Sequence, residues 1–387
     1  MSIFLQHWRT VPLFLLTQQE SFRTFVLKVY TRCDLACDHC YVYRSADQSW
    51  RTRPRRMSTE VAAMTAARVA EHAVAHRLAG VNVVLHGGEP LLCGPRHLRD
   101  LLATFDAIPV PVNLTVQTNA VRLDDAFLDL FAEFGVRVGV SLDGPATAHD
   151  RHRRTPSGQG SHAAVSAAIH RLAARDGLFA GLLCTVDPRN DPVAVYEELL
   201  SYRPPVVDFL LPHGNWTAPP PGRVSGDPAT PYADWLIAVF ERWYGAAERP
   251  CEVRIFDGML SLLLGGRSGT EGLGPEPSRA VVVETDGAIE QTDALKSAYE
   301  GAPGTGLHVG SSSFDDVLAL PGIAQRQPPS ATCAACPVLR VCGGGHYAHR
   351  YREGSGFDQP SVYCPDLFRL IGHVRGRVAG DLARLRA

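Results

Sequence analysis

Six times between residues 22 and 246, a short apolar run passes through a loop into a stretch with helix signals. This recurrence restricts the fold more than any other feature. The apolar runs fall at 24–31, 81–85, 112–116, 136–142, 178–186 and 206–211, with helices expected at about 59–78, 95–107, 124–135, 161–175, 192–202 and 231–246. Ser58 can cap the first helix, Gly80 stops it, and Gly135 closes the third. Strands alternating with helices require a parallel sheet with helical crossovers. A unit that repeats every 30–40 residues suits a curved, partly closed barrel of six β–α units, a partial TIM-like α/β fold. Chemistry in such folds collects at the C-terminal ends of the strands.

Four of those strand ends carry distinctive residues. After the first strand comes Cys33-Asp34-Leu35-Ala36-Cys37-Asp38-His39-Cys40-Tyr41, and after the second His86-Gly87-Gly88-Glu89-Pro90. The third ends in Gln117-Thr118-Asn119 and the fourth in Ser141-Leu142-Asp143-Gly144. The cysteines stand at C-x3-C-x2-C with no fourth nearby. Structural zinc takes four protein ligands, whereas an iron–sulfur cluster held by three thiolates leaves one iron open. The open-site reading fits better; three reduced thiols or a partial zinc site is the alternative. Glycines at 87 and 88 permit close approach of a ligand, and Glu89 offers an acceptor to a cation.

The bulk numbers exclude several classes. In 387 residues, 45% are hydrophobic and 20% charged, enough for a sizeable core, and a net charge of −2 gives no pull toward nucleic acid or anionic membrane. Lys28 and Lys296 are the only lysines. No run approaches a membrane span, and residues 1–9 lack a signal-peptide pattern. Seven of the ten cysteines fall in two clusters, so metal-bound thiols in a reducing cytoplasm are expected, and Cys93, Cys184 and Cys251 read as ordinary buried thiols. The division expected is an extension at 1–21, a barrel at 22–250, a linker with a bridging helix at 251–278, and a second domain at 279–387. That domain holds a hairpin around Asp286-Gly287, the cysteines Cys333, Cys336, Cys342 and Cys364, and a closing helix at about 365–385. Four thiolates with a C-x2-C pair are also a zinc-knuckle pattern. The aromatic stretch Trp235–Tyr244 reads as core or as a groove wall.

With Cys33, Cys37, Cys40 and Tyr41 followed by Gly87-Gly88-Glu89-Pro90, the chain resembles the radical S-adenosylmethionine (SAM) superfamily. The resemblance implies that the three cysteines hold a [4Fe–4S] cluster whose open iron binds SAM. Reduction would then split SAM into methionine and a 5′-deoxyadenosyl radical. His39 departs from the family's usual aromatic residue before the third cysteine. By the same resemblance Gly87, Gly88 and Glu89 hold the SAM ammonium, and Asn119 and Ser141 contact SAM, with turn capping as their alternative. Arg153 would pair with the SAM carboxylate, a solvated surface arginine being the other reading.

Cys333-x2-Cys336-x5-Cys342 with a distal Cys364 resembles the SPASM auxiliary-cluster domain. His346 stands where the pattern has a further cysteine, and Thr292 stands where G-x4-C is expected after Gly287. The resemblance therefore implies one auxiliary [4Fe–4S] cluster on Cys333, Cys336, Cys342 and Cys364, with His346 and His349 structural or His346 a ligand. Asp293 follows Thr292 where sulfatase-maturing relatives place a catalytic acid, and is the expected base; Glu284, Asp286 and His213 are further candidates. Residues 25–58, 283–287 and 343–351 resemble maturases acting on Phe-x-Ser type precursors. That likeness covers about residues 22–366 and implies a ribosomally made precursor peptide as substrate. The product would be a three-residue cyclophane joining an aromatic ring carbon to the Cβ of a residue two places on. A flavodoxin or ferredoxin would supply electrons, and neither nucleic acid nor membrane would be a partner. Oxidation of a Ser or Cys side chain, thioether formation, and a non-enzymatic zinc-ribbon interaction protein are the rival readings.

Overall fold

The computed structural model of the chain describes residues 21–385 apart from 225, 322 and 324–327. The extension read over 1–21 lies, but for Ser21, outside the described residues. The six expected strands are β1 (Thr24–Tyr30), β2 (Val81–Gly87), β3 (Val112–Thr118), β4 (Arg137–Ser141), β5 (Phe179–Thr185) and β6 (Val206–Leu210). Between and after them run α1 (Tyr41–Arg44), α2 (Thr59–Ala75), α3 (Pro95–Leu102), α4 (Asp125–Phe134), α5 (Ala146–His152), α6 (His162–Ala173), α7 (Pro192–Ser201) and α8 (Pro231–Tyr244). The helices begin where the caps require. Ser58 Oγ accepts from Val61 N at 3.2 Å, and Asp191 Oδ1 accepts from Ala194 N at 2.8 Å, each cap being worth ~1 kcal/mol. Gly135, at φ 64°, takes the left-handed turn that ends α4. The short α5 escaped the sequence reading because its seven residues carry no apolar period.

A strand β7 (Glu252–Val253) and helix α9 (Arg254–Leu263) follow, then β8 (Ala280–Val283), β9 (Ala288–Glu290), β10 (Gly304–His308), α10 (Phe314–Ala319), α11 (Ala331–Ala334), α12 (Leu339–Cys342) and α13 (Cys364–Arg384). All ten strands form one open sheet in the order β10-β9-β8-β1-β2-β3-β4-β5-β6-β7. It is parallel from β8 to β7 and antiparallel across β8, β9 and β10. The expected hairpin therefore does not stand apart. Its first strand pairs in parallel with β1, Thr24 opposite Ala280 and Leu27 opposite Val283, and satisfies an edge that would otherwise be bare. The stretch expected as linker likewise adds β7 to the other side of the sheet.

The strands alternate. Phe25, Leu27 and Val29 of β1 and Val81, Val83 and Leu85 of β2 are almost fully buried against the helices, each such side chain contributing ~1.5–3 kcal/mol. The opposite face is polar near the C-terminal strand ends, where Lys28, His86, Gln117, Ser141, Thr185 and Asp208 occur, one per strand. Trp235, Phe240 and Trp243 of α8 are core residues. In α13, Asp366 Oδ1 accepts from Tyr232 N and Ala233 N at the first turn of α8, both at 3.0 Å, tying the last helix to the barrel. Among the described residues no helix is long and apolar enough to cross a membrane.

Candidate active site

The C-terminal strand ends enclose a cavity of about 480 Å³. Cys33, Cys37, Cys40, Gly87, Gly88, Asn119, Ser141, Arg153 and Asp293 all line it, so residues far apart in sequence share one wall. His86, Gln117, Thr185 and Asp208 also face it. The sequence reading passed over His86, Thr185 and Asp208, although a polar residue late in an apolar strand was a usable signal.

The cysteine loop is pinned to the second strand end. Gly88 N donates to Tyr30 O at 2.8 Å and Glu89 N to Arg32 O at 2.9 Å. A Cβ on Gly88 would strike the Arg32 carbonyl and the Tyr43 hydroxyl, and Gly87, at φ 155°, lies against the Tyr30 carbonyl. Both glycines are thus demanded by the cysteine loop itself, as well as facing the cavity. Glu89 is 1% exposed and stands behind the lining. Its Oε1 accepts from Thr118 Oγ1 at 2.7 Å and Leu91 N at 3.0 Å, and its Oε2 from Asn119 N at 2.8 Å. Burial pushes this carboxyl up to about 7 against those three donors. Asn119 also reaches the loop, its Nδ2 lying 2.9 Å from Asp34 Oδ1 and 3.6 Å from Cys33 Sγ. Burial pushes the Cys33 thiol well up, and the Cys37 thiol up to about 11 although Arg153 draws it down.

Arg153 is not the surface arginine of the alternative reading. It grips Asp143 with two bonds, Nε to Oδ2 at 2.6 Å and Nη2 to Oδ1 at 3.1 Å, and its side chain is 12% exposed. Burial alone would raise Asp143, but Arg153 and then His39 more than offset it and hold the carboxyl at about 2. Ser141 Oγ accepts from Gln117 Nε2 at 3.1 Å.

Asp293 belongs to a buried polar chain that the sequence did not reveal. Lys28 Nζ forms an ion pair with Asp293 Oδ2 and donates to His86 Nδ1 at 2.9 Å. The Tyr41 hydroxyl reaches the same Asp293 oxygen at 3.4 Å, while Oδ1 is buried with no hydrogen-bond partner. Burial would raise the carboxyl, but Lys28 and Lys296 hold it at about 2. The second lysine, Lys296, is buried against Glu290 (2.9 Å), Glu284 (3.0 Å) and Asp47 (3.5 Å), and Arg53 bonds Glu290 and Asp286 at 2.6 and 2.7 Å. Glu284 and Asp286 are thus engaged in ion pairs away from the cavity, whereas His213 lines it. His213 Nδ1 lies 3.0 Å from His349 Nε2.

Thr292 and His346, at the two positions where the auxiliary-cluster pattern has cysteines, converge on a single carboxylate. Thr292 Oγ1 donates to Glu271 Oε1 at 3.3 Å, and His346 Nε2 pairs with the same oxygen at 3.2 Å. A hydrogen-bonded set fills that place, and the donors do not suit a cluster there. Burial raises the Cys342 thiol to about 11, and Cys364, Cys333 and Cys336 add to the rise. Arg350 braces their loop through the carbonyls of Gly343, Gly344 and Gly345 at 2.9, 3.1 and 3.2 Å. Among the described residues, no donor set drawn together within 4.8 Å contains a cysteine.

Residues 27–182 match the Radical SAM superfamily model. An uncharacterized protein of Synechocystis sp. is 29% identical over 196 residues, 49% of this chain, which spans 44% of that protein. The serine-type anaerobic sulfatase-maturating enzyme of Klebsiella aerogenes is 25% identical over 339 residues, covering 84% of this chain and 79% of that enzyme. Of solved structures, anSMEcpe with bound AdoMet superimposes with a TM-score of 0.79 at 20% identity, covering 92% of this chain and 98% of that one. Streptococcus suis SuiB bound to the precursor peptide SuiA gives 0.58 at 13% identity, covering 89% and 76%. At these identities the two structures speak to the fold alone. The match to the Radical SAM superfamily model thus covers residues 27–182, the part of the open sheet whose rim carries the cysteine loop and the Gly87-Gly88-Glu89 turn.

Proposed function

We propose that this enzyme modifies a ribosomally made precursor peptide by joining an aromatic ring carbon to the Cβ of a residue two places on. Cys33, Cys37 and Cys40 would hold the SAM-binding cluster, and Cys333, Cys336, Cys342 and Cys364 the auxiliary one. When bound, these groups supply hydrogen-atom abstraction from carbon and one-electron transfer. The observation that supports the reading is that Thr292 and His346, where the auxiliary-cluster pattern has cysteines, are both bonded to Glu271, while Cys333, Cys336, Cys342 and Cys364 remain as a thiol set. It agrees with the single auxiliary cluster expected from the sequence, whereas sulfatase-type maturases are expected to carry the full cysteine set that is missing here.

The chain's own residues have defined parts in this proposal. Arg153 presents a buried cation to the SAM carboxylate, and Asn119 and Ser141 offer hydrogen-bonding groups on the adjoining strand ends. Glu89 holds Thr118 and Asn119 in place, and its Oε2 keeps a lone pair for the SAM ammonium. Each cross-link removes two hydrogens from the peptide, one as an atom and one as a proton, and the remaining electron would pass to the one-electron acceptor held by Cys333, Cys336, Cys342 and Cys364. Asp293 Oδ1, ionised and without a partner, accepts the proton. A flavodoxin or ferredoxin is the proposed electron donor.

A second reading is favoured by the alignment with Klebsiella aerogenes sulfatase maturase over 84% of this chain, namely oxidation of a Ser or Cys side chain to an aldehyde. Mass alone does not separate it, because oxidising serine also removes two hydrogens. The test is co-expression with a short precursor encoded nearby, followed by tandem mass spectrometry and hydrazide labelling. A product lighter by two hydrogens, unreactive to hydrazide and silent to cleavage within one three-residue segment is expected. A hydrazide-reactive product would establish the second reading, and an unchanged peptide beside abundant 5′-deoxyadenosine would count against both.

A further inference from the structure

Outside the cavity, another set of donors converges where α2 of the barrel meets α10. His72 and His76 are four residues apart at the end of α2, so both rings leave one face of the helix. His72 Nδ1 and His76 Nε2 lie 2.8 and 2.7 Å from the same Asp315 oxygen, and the three atoms are mutually within 4.8 Å. We propose that His72, His76 and Asp315 form a binding site for a divalent transition ion such as zinc.

Two imidazoles and a carboxylate are a donor set for zinc and its neighbours, with the remaining position open to water. Zinc takes nitrogen at ~2.0–2.1 Å and carboxylate oxygen at ~2.0–2.2 Å, which sets tetrahedral ligands roughly 3.3 Å apart. The triangle here needs to open by only about half an ångström to admit the ion. The site is also built in advance. The His72 ring is wedged among Phe25, Phe314 and Phe22 at centroid distances of 6.0, 6.1 and 5.9 Å, which fixes the direction of its Nδ1. The rings of His72 and His76 stand 4.3 Å apart. Burial, and then the neighbouring His76, lower the pKa of His72. Asp315, 48% exposed, gives an ion a path from solvent. The ligands come from helices about 240 residues apart, so an ion here clamps the C-terminal residues to the barrel. The alternative is a carboxylate that merely accepts two imidazole N–H bonds.

The test is calorimetric titration of the iron-loaded enzyme with zinc chloride, with iron content measured before and after to exclude uptake at the thiols. One zinc per chain is expected, with unchanged iron, and a rise in melting temperature on adding zinc. Asp315→Asn and His76→Ala should each weaken binding at least tenfold and abolish that rise. His76 and Asp315 are partly exposed, so these variants avoid the core position of His72. Absence of zinc uptake by the native chain, or unchanged affinity in both variants, would overturn the proposal.

Discussion

Replacing Lys28 by methionine tests the polar chain behind the cavity most directly. The lysine is 3% exposed and its partner Asp293 12%, so neither ion is well served by water once the other is gone. Holding Asp293 at about 2 instead of the ordinary 3.8 corresponds to roughly 2–2.5 kcal/mol of interaction. Removing the cation also strands a buried carboxylate, and breaking such pairs costs about 3–5 kcal/mol. For a chain of this length that loss lowers the melting temperature by about 4–6 °C. The pH dependence has a definite sign. In the native chain Asp293 is depressed, so its contribution is present above the ordinary carboxylate value and disappears as pH falls through about 2. In Lys28→Met burial dominates and raises the group instead. Its penalty is then full at neutral pH and vanishes below the ordinary value, so the gap to the native protein narrows between pH 7 and 4. Anaerobic thermal melts at equal iron content would measure this, with Asp293→Asn and the double variant completing the cycle. A Lys28→Met protein as stable as the native one would refute the argument, as would a double variant whose loss is the sum of the single losses.

Three further outcomes follow from the same geometry. Cys40→Ser should lose about four of an expected eight irons per chain and Cys342→Ser the other four, as read by iron and sulfide analysis. Gly88→Ala, whose methyl meets the Arg32 carbonyl, should lose the first four irons only and destabilise the chain by about 1–3 kcal/mol in denaturant melts. Glu89, raised to about 7 by burial, favours the fold while protonated. The cluster-free chain should therefore lose up to about 3 kcal/mol as pH rises from 4.5 to 7, whereas Glu89→Gln should show a flatter profile.

Much of the fold was legible because the apolar pattern is strong: all six strands and their helices follow from runs bounded by caps and glycines. The cysteine loop and Gly87-Gly88-Glu89 were legible because their spacing is local. Other features were hidden by sequence distance. Nothing in Arg279–Glu290 announces that β8 extends the barrel sheet beside β1, since a strand's partner depends on which edge is open. Arg153 reads as a surface residue in a run of His and Arg until Asp143 is seen against it.

The sequence by itself determined a parallel α/β sheet with two groups of thiols, since periodicity and ligand spacing are encoded within a few neighbouring residues. Only the tertiary structure decided how the charges pair. It brought both lysines into buried acidic surroundings 265 to 6 residues away along the chain. It also closed Thr292 and His346 onto Glu271, and set His72, His76 and Asp315 together. Such pairings are fixed by where strand ends and helix faces meet, and electrostatic energy in a low-dielectric interior depends on distance in space rather than along the chain.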